Sequence, residues 1–146
     1  SIIEADIFHA PMGEARLNLI DARDIAAVAL RALTEPGHGG KVYELHGPEA
    51  QSYAEVAEIM SRFLGRTVDY RNLPEEVARA GMLGAGIPDW LADDLLKLHA
   101  IAREGLMAGS GNLLRSLLGR EPADVATFLA DHAMAFRAQS AQGGAA

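Results

Sequence analysis

The stretch that most constrains this chain runs from Leu17 to Pro48. Leu17, Asn18, Leu19 and Ile20 read as a short strand, and Asp24 stands where a helix N-cap is wanted. Behind it Ile25, Val28, Ala29, Ala32 and Leu33 recur at the spacing of one helical face. The run from Thr34 to Gly40, with Pro36 and three glycines, stops that helix. Lys41 to Leu45 then reads as a second strand leading into Gly47-Pro48. Strand, helix and strand in this order set the fold class as α/β.

Much of what remains is helical. Ser52-Tyr53-Ala54-Glu55 is a capping box: the Ser hydroxyl accepts from the Glu amide, and the Glu carboxylate reaches back to the Ser amide. Tyr53, Val56, Ala57, Met60, Phe63 and Leu64 follow at helical spacing, and Gly65 ends the helix. Thr67 to Arg71 alternates as a half-buried strand. Pro74-Glu75-Glu76 opens a short helix that Gly81, Gly84 and Gly86 are expected to break. Asp89 is expected to cap a long helix carrying Trp90, Leu91, Leu95, Leu98, Ala102 and Leu106. Asn112 to Leu118 predicts another short helix, and a last one carries Val125, Phe128, Leu129, His132, Ala133 and Phe136. The expected architecture is therefore mostly helical α/β, with short parallel strands and about five helices. Residues 1–138 form one domain in this reading, with 1–15 an irregular lead-in and 139–146 a disordered tail.

Composition excludes several classes. A chain of 146 residues can bury one core. At 49% hydrophobic residues it is too apolar for a disordered chain. The net charge of −7 comes from acidic residues spread along the helices, so no basic stripe serves nucleic acid. The absence of Cys removes thiolate chemistry and favours a reducing compartment, here the cytoplasm. No apolar run reaches membrane-spanning length, and no signal peptide is visible. The first residue is Ser, which leaves open a processed product or a piece of a longer protein.

Few residues point to chemistry. Gly81-x-x-Gly84-x-Gly86 follows a helix, whereas a dinucleotide fingerprint follows a strand, so it reads as a break between helices. Gly37-His38-Gly39-Gly40 lies on the helix-to-strand side and is a turn. Asp21 and Asp24 have the spacing of an acid/base or metal pair. No third ligand stands nearby, and the favoured reading is structural, with Asp24 capping and Asp21 ordering the turn. No two of the five His have metal spacing. His132 reads as partly buried in an apolar stripe, His99 as solvated, and His9 as the one on an irregular segment that can face a pocket. There is no Gly-x-Ser-x-Gly and no Tyr-x-x-x-Lys. Trp90 reads as a core anchor first and a pocket wall second.

Asp21-Ala22-Arg23-Asp24-Ile25-Ala26, Gly40-Lys41-Val42-Tyr43-Glu44-Leu45, Gly47-Pro48-Glu49 and Leu64-Gly65-Arg66 together resemble the downstream half of NmrA-like proteins, atypical short-chain dehydrogenases/reductases. Weaker echoes extend the similarity from about Pro11 to Phe136. The resemblance implies an NAD(P)-binding Rossmann half upstream, with this chain as the smaller region that covers the cofactor and shapes the substrate site. It implies no cofactor-binding residue and no catalytic residue in this chain alone. It makes Lys41 to Leu45 a strand added to the Rossmann sheet, and Leu17–Ile20 with Val68–Arg71 a separate parallel pair. Ile7, Phe8, His9 and Trp90 become the substrate-pocket candidates. The implied activity is reduction of a quinone- or dye-type acceptor, a small molecule, with self-association or a Rossmann half as partner. The alternative is a non-catalytic redox sensor or protein-interaction module, and a Gly-rich upstream half in the complete gene would favour the enzyme.

Overall fold

The described residues form two small sheets, each of two strands, among seven helices. The computed structural model describes residues 6–137, so the expected tail at 139–146 lies outside the described residues. Strand β1 (Ile7–Ala10) and strand β2 (Arg16–Asn18) come first, then helix α1 (Ala22–Thr34), strand β3 (Ala50–Ser52), helix α2 (Tyr53–Leu64) and strand β4 (Asp69–Asn72). Helices α3 (Glu75–Gly84), α4 (Asp89–Arg103), α5 (Asn112–Leu118), α6 (Val125–Asp131) and α7 (Ala133–Arg137) follow. No helix among the described residues is long and apolar enough to cross a membrane.

The mostly helical α/β class holds, but the pairing differs from expectation. The parallel partner of β4 is β1, in the segment read as an irregular lead-in, with Ile7 opposite Asp69 and Ala10 opposite Asn72. The strand expected at Leu17–Ile20 is β2, and it pairs antiparallel with β3. Residues 41–47 form no strand among the described residues. A strand needs a neighbour to complete its ladder, and the described chain offers none here. The alternation nevertheless survives. Leu45 packs against the cluster of Val28, Leu114 and Leu118, Tyr43 and His38 share a 2.7 Å hydrogen bond, and Val42 is 94% exposed.

The capping box forms as expected. Ser52 Oγ accepts from the Glu55 amide at 3.2 Å, and Glu55 Oε2 accepts from the Ser52 amide at 2.8 Å. At the start of α1 the two aspartates exchange their expected roles. Asp21 is the N-cap: its carbonyl takes the first helical bonds and its carboxylate accepts from the Arg23 amide at 2.8 Å. The Arg23 guanidinium closes on the same carboxylate at 2.6 Å and reaches Asp131 on α6 at 2.8 Å. Asp24, the third residue of the helix, points inward and is 1% exposed. Its oxygens accept from Arg120 at 2.6 Å and from the Ala123 amide at 2.8 Å. Asp89 likewise caps nothing. Pro88 supplies the carbonyl that starts α4, and Asp89 binds Arg79 of α3.

The core is three small clusters. Ala10, Met12, Ala15 and Ala102 form one, Val56, Met60, Val68 and Leu129 a second, and Val28, Leu114 and Leu118 a third. Glycines let the backbones meet where these clusters adjoin. A Cβ on Gly109 would fall 2.5 Å from the His46 ring, and one on Gly111 would fall 2.7 Å from the Gly47 carbonyl. Asn18 ties the junction, donating to the Gly47 carbonyl and accepting from the Gly109 amide, both at 2.8 Å.

Ser52→Ala is expected to cost about 1 kcal/mol in urea unfolding, the usual loss of a cap. Asp24→Ala is expected to cost about 2–3 kcal/mol, because it strands a shielded amide as well as an ion-pair partner. Equal losses for the two would mean that Asp24 is only a cap. The Arg23 guanidinium, through its hydrogen bonds, holds the Asp21 carboxyl at about 2, well below the ordinary 3.8. A folded-state value below the unfolded one gives stability that is whole above pH 3.8 and lost as pH falls through 2. Acid unfolding of Asp21→Asn should therefore show a flatter stability profile between pH 4 and 2 than the parent chain.

Candidate functional site

Between β1, α3 and α4 lies a groove of about 540 Å³, within the size range of small-molecule sites. Strand β1 delivers His9 and Ala10 to one side, and Pro11 turns the chain away. Helix α3 supplies Val77, Ala78, Gly81 and Met82. Ala85 and Ile87 of the following turn close one end, and His99 of α4 lies across from them. Gly81 does not break its helix, because α3 runs on to Gly84 and the chain turns only at Gly86, which has φ +83°. A Cβ built on Gly81 meets no atom within 4 Å, so the missing side chain leaves open space.

The two imidazoles are the polar side chains of this lining. His9 is exposed. His99, expected to be solvated, is half-buried, and its Nδ1 is shielded without a hydrogen-bond partner among the described residues. Burial pushes His99 below its ordinary 6.5. Arg103, one turn further along α4, adds to that shift, and Glu75 at the start of α3 opposes it. Arg103 is itself engaged with the Glu75 carboxylate and the Pro11 carbonyl, so the groove has a satisfied ion pair at its rim. At neutral pH His99 is an uncharged imidazole able to donate or accept one hydrogen bond.

The four sequence-derived pocket candidates do not converge. His9 lines the groove. Phe8 turns to the other side of β1, as strand alternation requires, and packs its ring 5.6 Å from Tyr53 and 5.4 Å from Tyr70. Ile7 is half-buried at the start of the strand and outside the groove lining. Trp90 is 67% exposed in the first turn of α4, so it is neither core anchor nor groove wall. His132 is exposed where α6 gives way to α7, and it stacks on Phe128 at 4.3 Å. The groove residues that sequence reasoning missed are Gly81 and His99. The signal for both was helical spacing on α3 and α4, visible only once the two helices face each other.

A second cavity of about 440 Å³ lies between residues 19–22, α2 and α6, walled by Met60, Phe128, Leu129 and Phe136. Its acidic groups are already engaged, Asp21 with Arg23 and Asp124 with the Thr127 amide. No cluster of three metal-ligating side chains occurs among the described residues.

The described residues do not fit the phosphates of a dinucleotide. Such a site needs free amides and positive potential at a strand-to-helix turn. The turn into α1 is closed by the Asp21 carboxylate and the turn into α2 by Ser52 and Glu55, while the turn from β4 into α3 carries Glu75 and Glu76 in its first helical turn. Each places negative charge where a pyrophosphate would sit.

Comparison with known proteins sets this geometry in context. The model of the NmrA-like family matches residues 5–125. The chain belongs to the NmrA-like family. It is 43% identical over 138 residues to NAD(P)H azoreductase of Xenophilus azovorans, covering 94% of this chain and 48% of that protein. The crystal structure of an NADPH-dependent quinone oxidoreductase from Escherichia coli superposes with a TM-score of 0.80 at 31% identity, covering 88% of this chain and 47% of that one. The same enzyme has been crystallised with NADPH. Triphenylmethane reductase of Citrobacter sp. shares the fold, with a TM-score of 0.78 at 22% identity. This NmrA-like chain spans about half the length of the relatives it matches.

The buried state of His99 is directly measurable. In histidine-detected NMR its ring should titrate below 6.5, and Arg103→Met should move the midpoint back toward 6.5 by removing a like charge. A His99 midpoint at or above 6.5 in the parent chain would show that the ring is solvated.

Proposed function

We propose that this chain is the substrate-side portion of an NAD(P)H-dependent oxidoreductase acting on a quinone- or dye-type acceptor. In this reading a Rossmann half, which the described residues do not contain, holds the cofactor. The cofactor supplies reducing chemistry, and this portion supplies position and surroundings. The observation that carries the reading is a surface left without a partner. Residues 41–47 form no ladder among the described residues, and burial alternates from Val42 to Leu45. Beside them α1 turns Leu30 and Leu33 outward, the latter 85% exposed, while its other face packs on α5. A segment without a ladder next to exposed apolar residues of a helix is what a neighbouring sheet edge would cover. The azoreductase and quinone reductase relatives, twice as long as this chain, support the same division of labour.

Three measurements test the proposal. The complete gene product should oxidise NADPH when offered a naphthoquinone or an azo dye. This chain alone should show no saturable NADPH binding by calorimetry, because each of the three strand-to-helix turns carries carboxylates at the start of its helix. It should also self-associate in light scattering coupled to size exclusion, through the uncovered edge. Micromolar NADPH binding by the chain alone would overturn the division of labour. A complete protein that binds NADPH but reduces no acceptor would instead be a redox sensor.

A further inference from the structure

We infer that the groove over Gly81 seats a planar, uncharged aromatic ring carrying a carbonyl oxygen, with Gly81 setting the depth of the seat and His99 meeting the oxygen. The inference rests on the oxidoreductase reading for the kind of ligand, and on the groove itself for the place. Apart from two imidazoles the lining is apolar or glycine, and the nearest cation, Arg103, is already paired with Glu75. A charged ligand would therefore lose its hydration without gaining a counter-charge. A flat ring loses little, because Val77, Met82 and Ile87 offer apolar contact along its edges.

Two features single out their residues. Gly81 lines the groove on α3, and a Cβ there meets no atom within 4 Å, so a side chain at this position starts into open space. Its backbone is helical, and most residues favour a helix interior more than glycine does. His99 carries a shielded Nδ1 with no partner among the described residues. A buried polar atom without a partner is costly, and this ring gives up no Nδ1 hydrogen bond within the described residues when it turns to serve a ligand. His9, on the facing strand, is exposed and adds a second polar edge at the mouth.

The experiment uses the full chain with 1,4-naphthoquinone as the probe and naphthalene as the same ring without oxygens. The chain has no Cys, so quinone addition to a thiol does not interfere. Histidine-detected NMR should show saturable shifts at His9 and His99 with naphthoquinone. Gly81→Leu should keep or raise the unfolding midpoint and weaken binding of both probes at least tenfold, with Gly81→Ala intermediate. His99→Phe should weaken naphthoquinone about three- to tenfold and leave naphthalene unchanged. Absence of saturable binding in the parent chain overturns the inference, and so does naphthoquinone binding that a folded Gly81→Leu chain retains. If the complete gene product reduces naphthoquinone while these variants change nothing, the groove assignment fails and the oxidoreductase reading stands. If the groove binds as expected while the complete product oxidises no NADPH, the seat stands and the oxidoreductase reading fails.

Discussion

The buried carboxylate of Asp24 is the contact on which the arrangement of the helices depends. It is placed at the first turn of α1, and its two partners, Arg120 and the Ala123 amide, lie 96 and 99 residues further along the chain. A carboxylate removed from water must have its lone pairs satisfied, or it costs several kcal/mol. Only one placement of the connector between α5 and α6 supplies both donors. Arg23 adds a second tie one residue away, joining Asp21 at the cap to Asp131 on α6. Arg31 adds a third, donating to the Leu117 carbonyl on α5 at 2.5 Å. One helix is thus bound along its length to the last third of the chain, although the three hydrophobic clusters are individually small.

Local chemistry was legible in the sequence, and long-range chemistry was not. The capping box at Ser52 was readable because donor, acceptor and spacing all lie within four residues. Gly119 as the end of α5 was readable for a similar reason: glycine accepts the left-handed conformation, φ +65°, that closes the helix. Asp24 misled because an Asp beside a helix start resembles a cap, and nothing nearby announces that Arg120 will claim it. Asp21 won the cap because its extended backbone, ψ 130°, precedes the first helical residue.

The misread strands have a common cause. Alternation shows which residues face inward, and residues 42–45 obey it, but a ladder belongs to two segments, and a pattern in one says nothing of the other. The lead-in holding β1 carried too short a pattern to be seen without β4 beside it. The candidate site suffered most from this. His9 was found because it stands on a segment without helical pattern. Gly81 was set aside as a helix breaker and His99 as a surface residue, because each acquires its meaning only from the opposite helix. Gly109 and Gly111 permit close approach of the chain at residues 46–48, a contact that no local pattern announces.

The pairing of β1 with β4 has a consequence for how the groove can vary. His9 faces the groove and Phe8 the aromatic cluster only because Phe8 stands opposite Tyr70 and His9 opposite Arg71. The four-residue strands are joined by a segment of nearly sixty residues containing α1 and α2, so their pairing is non-local and costs loop-closure entropy. A slip of a single residue would send Phe8 into the groove and His9 into the core. Changes of loop length between the strands, outside α1, α2 and the β2–β3 pair, leave that register alone. A change near Asp6 or Val68 that shifts it would alter what the groove accepts without touching any residue that lines it.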